Sequence, residues 1–144
     1  MRLTQLIYAS QPFGFDDLAL SSILASAGRN NVRDAITGAL ICREDLYLQL
    51  LEGPEAEVGS AFERILRDDR HTAVSKLVLR TADYRLFPDW AMRHDPAASW
   101  MWTPGQVGEG AIMRAPVGDV LGVFARLASE APSVPQKCPV HSAA

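Results

Sequence analysis

The chain opens on a mostly apolar stretch, Leu3 to Ser10, that stops at the turn-prone run Gln11-Pro12-Phe13-Gly14 and predicts a strand. After Asp16 and Asp17, the apolar residues Leu20, Ile23, Leu24 and Ala27 recur at intervals of three and four, which predicts a capped amphipathic helix closing at Gly28. The apolar run Ile36 to Cys42, the polar break Arg43-Glu44-Asp45 and a second run from Leu46 to Glu52 predict a β-hairpin. Pro54 suits the first turn of a second helix, in which Val58, Ala61, Phe62, Ile65 and Leu66 share one face. Glu55 and Glu57 lie near its start and Arg64 and Arg67 near its end, as the helix dipole favours. Ala73 to Thr81 predicts a fourth strand. Trp90 to His94, after the turn at Phe87-Pro88-Asp89, predicts a fifth.

The order β-α-β-β-α-β-β is that of an α+β, ferredoxin-like split-βαβ fold, a five-stranded mixed sheet with both helices on one face. In this arrangement the first and third strands are expected to be parallel neighbours. Beyond His94 the pattern weakens until Asp119 to Glu130, where Val120, Val123, Phe124 and Leu127 fall along one face of a helix. Three parts are therefore expected. Residues 1–94 form the core, residues 95–130 a helical extension packing on the open side of the sheet or on a partner, and residues 131–144 a mobile, Pro-rich tail.

Composition narrows the function classes. A chain of 144 residues suits one domain, and 48% hydrophobic with 22% charged residues is a globular composition. No apolar run approaches the roughly 18 residues of a membrane span, and the N-terminus lacks a signal-peptide cleavage pattern, so a soluble, cytoplasmic protein is expected. A net charge of −3 without a cluster of Lys and Arg argues against sequence-independent binding of nucleic acid. Cys42, within an apparent strand, and Cys138, in the tail, lack the spacing of a metal site, and Cys42 reads as a small buried hydrophobe.

The chemistry begins with polar residues that a plain core would not want. In Leu46-Tyr47-Leu48-Gln49-Leu50-Leu51 the two-residue period of a strand puts Gln49 on the face of Tyr47 and Leu51. A buried amide left unpaired costs about 1–3 kcal/mol. Tyr8, on the face of Leu6 and Ser10, carries a hydroxyl that also needs a partner, and neighbouring strands would let the two meet under the helices. Asn30 and Asn31, placed just after the first helix, and Arg64, Asp68 and Arg70, at and beyond the end of the second, would ring a groove between the helices. Such a rim suits a planar heterocycle with carbonyls and N–H groups, with Arg near a phosphate. Taken alone, the same residues are also compatible with a satisfied Tyr–Gln bond in an ordinary core and with solvated helix caps.

The segments Leu6-Ile7-Tyr8-Ala9-Ser10, Asn30-Asn31-Val32-Arg33-Asp34-Ala35-Ile36-Thr37-Gly38-Ala39-Leu40, Gln49-Leu50-Leu51-Glu52-Gly53, Asp69-Arg70-His71 and Phe87-Pro88-Asp89-Trp90-Ala91-Met92 occur in one order at compatible spacing. Together they resemble the BLUF family, sensors of blue light using FAD, over roughly residues 1 to 94. The resemblance implies FAD as cofactor, with FMN open because the domain would mainly grip the ring. It implies that Tyr8 donates an electron and a proton to the excited flavin and that Gln49 lies between Tyr8 and the ring. Asn31 would hydrogen-bond the carbonyl edge, with Asn30 beside it. Arg64 and Asp68 correspond to polar contacts near the pyrimidine side, Ile23 to an apolar residue against the ring, and Arg70 and His71 to the segment beside ring and tail. Trp90 and Met92, on one face of the expected fifth strand, would relay the signal, either of them next to Gln49.

By the same resemblance the protein is a photoreceptor and not an enzyme. Its expected partners are a downstream effector protein in trans and further copies of itself, with no direct nucleic acid and no membrane. Two rivals remain at this point. An acylphosphatase-like hydrolase could use Asn31, Arg64 and Arg70, but it leaves the Tyr8 and Gln49 pairing unexplained and lacks a phosphate loop or a nucleophile–base pair. A light-independent oligomeric module would keep the fold without the flavin.

Overall fold

A computed structural model describes residues 2–12, 17–68 and 71–132. The strands are β1 (Leu3–Pro12), β2 (Thr37–Arg43), β3 (Leu46–Gly53), β4 (His71–Ala82) and β5 (Arg93–Pro96). The helices are α1 (Asp17–Asp34), α2 (Glu55–Leu66), α3 (Pro104–Gly108), α4 (Ala111–Arg114) and α5 (Val117–Ala128). The five strands form one sheet in the order β4-β1-β3-β2-β5. The expected turn at Phe13 and Gly14, the capping residue Asp16, and all of the tail from residue 133, Cys138 included, lie outside the described residues.

The sheet is mixed, as the fold class requires, but β1 and β3 are antiparallel, not parallel as expected. The α1 crossover returns the chain so that β2 runs in the direction of β1, and the tight turn after Arg43 then reverses it into β3. β4 is antiparallel to β1, and only β5 is parallel to its neighbour, β2. Tyr8 and Gln49 are thereby direct cross-strand partners, close enough for their side chains to meet.

Two element boundaries also differ from expectation. α1 does not close at Gly28 but runs on to Asp34, so Asn30 and Asn31 lie in its last turns. A glycine inside a helix costs only about 1 kcal/mol, and the buried Ile23 and Leu24 hold the helix to the sheet. The true stop is Ala35, which takes the left-handed conformation at φ 58° while the Ile36 N–H donates to the Asn31 carbonyl at 2.9 Å. That is a Schellman closure made without glycine. β5 begins at Arg93, not at Trp90. Just before it Trp90 makes a single bridge to β2, its carbonyl accepting from the Gly38 N–H at 3.2 Å, but the Ala91 carbonyl is taken by the Asn31 side chain at 2.8 Å, and the pairing is interrupted at residues 91 and 92.

Alternation along the strands divides the interior into two cores. Leu6, Tyr8, Leu40, Tyr47 and Leu51 face α1 and α2, where Leu24, Val58 and Ala61 meet them. Ile7, Ala39, Ile41, Leu48 and Leu50 face the other way and are covered by Val120, Val123, Phe124 and Leu127 of α5. The helical face read from the sequence is thus the one that α5 buries, with Phe124 fully enclosed and its ring edge-on to Phe87 at 6.5 Å. α3 starts with a capping box, Thr103 accepting from the Gln106 N–H and the Gln106 side chain accepting from the Thr103 N–H. Arg43 pins this cap, donating to the Trp102 carbonyl at 3.0 Å, and Arg126 stacks 4.0 Å above the Trp100 ring.

An L-residue pays about 1–2 kcal/mol for the left-handed conformation that Ala35 holds, of which glycine recovers the part not lost to its freer unfolded chain. Ala35→Gly is therefore expected to stabilise the protein by about 0.5–1 kcal/mol and raise the melting temperature by about 2–4 °C in a thermal scan.

Candidate functional site

Between α1, α2 and the sheet lies a cleft of about 320 Å³. Its walls are small or apolar, Ile23, Ser26 and Ala27 from α1 and Ala61 and Ile65 from α2, with Leu51 in the floor. Its polar groups are Asn30, Asn31, Gln49, Arg64, Asp68 and His71. The structure thus gathers Ile23, Asn30, Asn31, Gln49, Arg64, Asp68 and His71 around one space, while Arg70 lies outside the described residues. The contribution of Ser26, Ala27 and Ala61 was missed in the sequence. Its signal is small residues at positions that face each other across two helices, and reading it requires knowing how the helices pair.

Tyr8 does not line the cleft. It lies fully buried beneath Gln49, and its hydroxyl donates to Gln49 Oε1. On the other side of the amide, Gln49 Nε2 donates to Met92 Sδ at 3.2 Å. A thioether is a weak acceptor, so a buried amide nitrogen with two hydrogens keeps capacity for a better partner in the cleft. Met92 is 1% exposed and Trp90 is half-buried, so of the two relay candidates it is Met92 that sits on Gln49.

Around this pair the side chains are firmly held. Ser10 Oγ and His71 Nδ1 are 2.9 Å apart, and the His71 ring stands edge-on to Tyr8 at 5.9 Å and to Tyr47 at 5.1 Å. Phe62 closes over Tyr8 at 5.8 Å. Asn31 spends one amide hydrogen on the Ala91 carbonyl, which fixes its orientation while it lines the cleft. At the rim, Arg64 and Arg33 share the Asp34 carboxylate at 3.3 and 2.8 Å. The Arg33 hydrogen bond, more than any other influence, holds that carboxyl below the usual range.

Electrostatics set the two buried acids apart from ordinary ones. Burial, then the charge of Asp68 and the neighbouring Tyr47, pushes the Tyr8 phenol far above the usual tyrosine value. Burial also pushes the Cys42 thiol up to about 11, with Asp95 adding to it, so at neutral pH Cys42 is an inert thiol in the core.

The residues present fit a flavin ring. The cleft has the size of a small-molecule site, its walls admit a flat body between the helices, and its floor presents two oriented amides to a polar edge. Among the described residues no group of acidic, His and Cys side chains is placed to hold a metal ion, and no helix is long and apolar enough to cross a membrane.

Comparison with known proteins gives the same chemistry. The family model described as sensors of blue light using FAD, BLUF, matches residues 3–93. The photoactivated adenylate cyclase subunit beta of Euglena gracilis is 37% identical over 92 residues, which is 62% of this chain and 11% of that protein. The chain therefore spans about a tenth of the length of that relative. Among solved structures, the dark-state BLUF protein BlrB is 26% identical with a TM-score of 0.72, covering 89% of this chain and 96% of its own. Klebsiella pneumoniae BlrP1 with FMN and cyclic diGMP is 30% identical with a TM-score of 0.62, covering 86% of this chain and 34% of its own.

The raised Tyr8 value has a sign that can be checked. Above pH 10 tyrosine in the unfolded chain ionises while Tyr8 in the folded protein keeps its proton, so the folded state binds more protons and loses stability as pH rises. The contribution of Tyr8 should approach about 1.4 kcal/mol per pH unit above that point. Urea midpoints measured from pH 8 to 11 are expected to fall less steeply for Tyr8→Phe than for the parent protein.

Proposed function

The chain belongs to the BLUF family, sensors of blue light using FAD, and from that premise we propose that Tyr8 and Gln49 are its light-responsive switch. The observation that carries this reading is the bridging amide, Gln49, bonded to Tyr8 on one side and Met92 on the other while lining the cleft. Asn31 and Asn30 would hold the ring's polar edge, Ile23 would lie against its face, and Arg64, Asp68 and His71 would complete the surround. Arg70 is proposed beside the ring and tail from the resemblance alone.

Bound there, the flavin supplies blue-light absorption and, once excited, a strong demand for an electron. The protein's part follows from its own groups. Tyr8 is held protonated by burial, so it has no standing negative charge to lose, and its proton must leave with its electron. The hydroxyl donates to Gln49 Oε1, which makes the amide the proton's way out and its way back. When electron and proton have returned to Tyr8, all that differs is the amide, by rotation or tautomerisation. A rotated Gln49 would present Nε2 to Tyr8 and its oxygen to Met92, and a thioether offers nothing to an oxygen. Met92 then loses its reason to stay.

The output follows the chain. We place the sensor core at residues 1–94 and the output segment at residues 95–130, with Trp90 and Met92 leading into β5 and the cap around α5. The sensor itself performs no turnover. Its partners are a separate effector protein and other copies of the chain, meeting it in the cytoplasm through the cap, where Met113 and Val117 are exposed. The near end-to-end match with BlrB supports a sensor module of this size.

The purified protein is expected to be yellow and to shift its absorption reversibly to the red under blue light. Tyr8→Phe should keep the colour and lose the normal photocycle, and Gln49→Leu should lose the red-shifted state, both read in light-minus-dark spectra. A normal cycle in either variant would reject the assignment of that residue.

A further inference from the structure

We propose that Glu52 is a positioning residue for the light switch, clamping the backbone at Leu86 and Phe87 and so setting where Met92 meets Gln49. The inference rests on the reading of Gln49 given above. Glu52 is fully buried at the end of β3, three residues beyond Gln49 and on the opposite face of the strand. Its two oxygens are shared evenly. Oε1 accepts from the Leu86 N–H at 2.9 Å and from Gln5 Nε2 at 3.0 Å, and Oε2 accepts from the Phe87 N–H at 2.7 Å and from Thr37 Oγ1 at 3.4 Å.

Arg85 closes the same turn from outside. It donates to Thr37 Oγ1 at 2.8 Å, to the Glu52 carbonyl at 2.9 Å and to the Ala35 carbonyl at 2.7 Å, tying the turn to the end of α1. A residue needed only to fill this place would be better apolar, because a buried charge is costly to hold even when its bonds are satisfied. What an apolar side chain cannot do is take two successive backbone N–H groups of a segment that belongs to no strand. Residues 85–92 are such a segment. Their upstream end is fixed by Glu52 and Arg85.

Beyond the Trp90 bridge to β2, the downstream end depends on the cleft. Asn31 holds the Ala91 carbonyl and Gln49 holds Met92 Sδ, and both of these amides line the space where the ring would bind. Pro88, Asp89 and Trp90 lie between the two ends, and the Trp90 carbonyl accepts from the Gly38 N–H of β2 at 3.2 Å. Glu52 therefore makes the upstream end a fixed pivot, and a change at Gln49 is spent on moving Met92 rather than on loosening the whole turn. Phe87, at the pivot, carries its ring into the other core against Phe124 of α5.

Glu52→Gln keeps the shape of the side chain but turns one acceptor into a donor that faces an N–H group. The variant should remain yellow, and because Met92 must be reseated from a looser turn, its return to the dark spectrum should slow by about threefold or more, the size of coupling expected between residues that act together. In a Met92→Ala background the same substitution should leave the recovery rate unchanged. An unaltered rate in Glu52→Gln, or an equal slowing in the Met92→Ala background, would overturn the proposal, since a merely structural role does not require Met92. Should Glu52→Gln fail to hold flavin, Glu52→Asp, with its carboxylate withdrawn by one methylene, is read by the same two outcomes. A parent protein that did not cycle at all would overturn the Gln49 reading instead. The clamp would still be read in the dark, by faster amide exchange at Leu86 and Phe87 and a shifted Met92 methyl resonance in Glu52→Gln, and the absence of both would sink it.

Discussion

A carboxamide in the middle of a leucine-rich strand cannot turn to water, so its hydrogen bonds have to come from whatever the sheet and its loops bring within reach. For Gln49 these are Tyr8, one strand away, and Met92, from a segment before the parallel edge strand. The register of β1 on β3 and the placement of residues 85–92 are the conditions under which that amide is satisfied. Slipping β1 by one residue would send Tyr8 to the opposite face and leave both groups unpaired, at a cost comparable to a sizeable part of a domain's stability.

The same constraint explains why the surroundings are so fully bonded. His71 on Ser10 and Asn31 on Ala91 each remove a way for the surround of the cleft to relax, and the four donors on Glu52 do the same for the turn at Leu86 and Phe87. The Gln49 amide differs from these groups in that its two ends are chemically unlike but sterically alike. A change of state there costs little packing and much hydrogen bonding, which is the condition for two discrete arrangements in place of a continuum.

Most of the strands, α2 and the buried face of α5 were legible because each rests on local periodicity. The end of α1 was not, because its closing residue is an alanine held at positive φ and the glycine that looks like a stop is interior. The start of β5 and the antiparallel β1–β3 pair escaped for another reason, since both depend on partners far along the chain. Of the site, the polar residues were legible as misfits, above all Gln49. Glu52 was not, because a Glu at a strand end is ordinary until the turn that caps it is known, and the small residues Ser26, Ala27 and Ala61 carry no signal until the helices are paired.

Along β3, successive residues belong to different worlds. Tyr47, Gln49 and Leu51 look into the cleft side, and Leu46, Leu48 and Leu50 into the core under α5. Because alternate side chains of β3 belong to different cores, each face of the strand answers to its own neighbours. Substitutions on one face of β3 therefore need not disturb the packing of the other, so the walls of the cleft and the core under α5 can vary separately along this strand. A single extended strand in this way serves as the party wall of two separately furnished rooms.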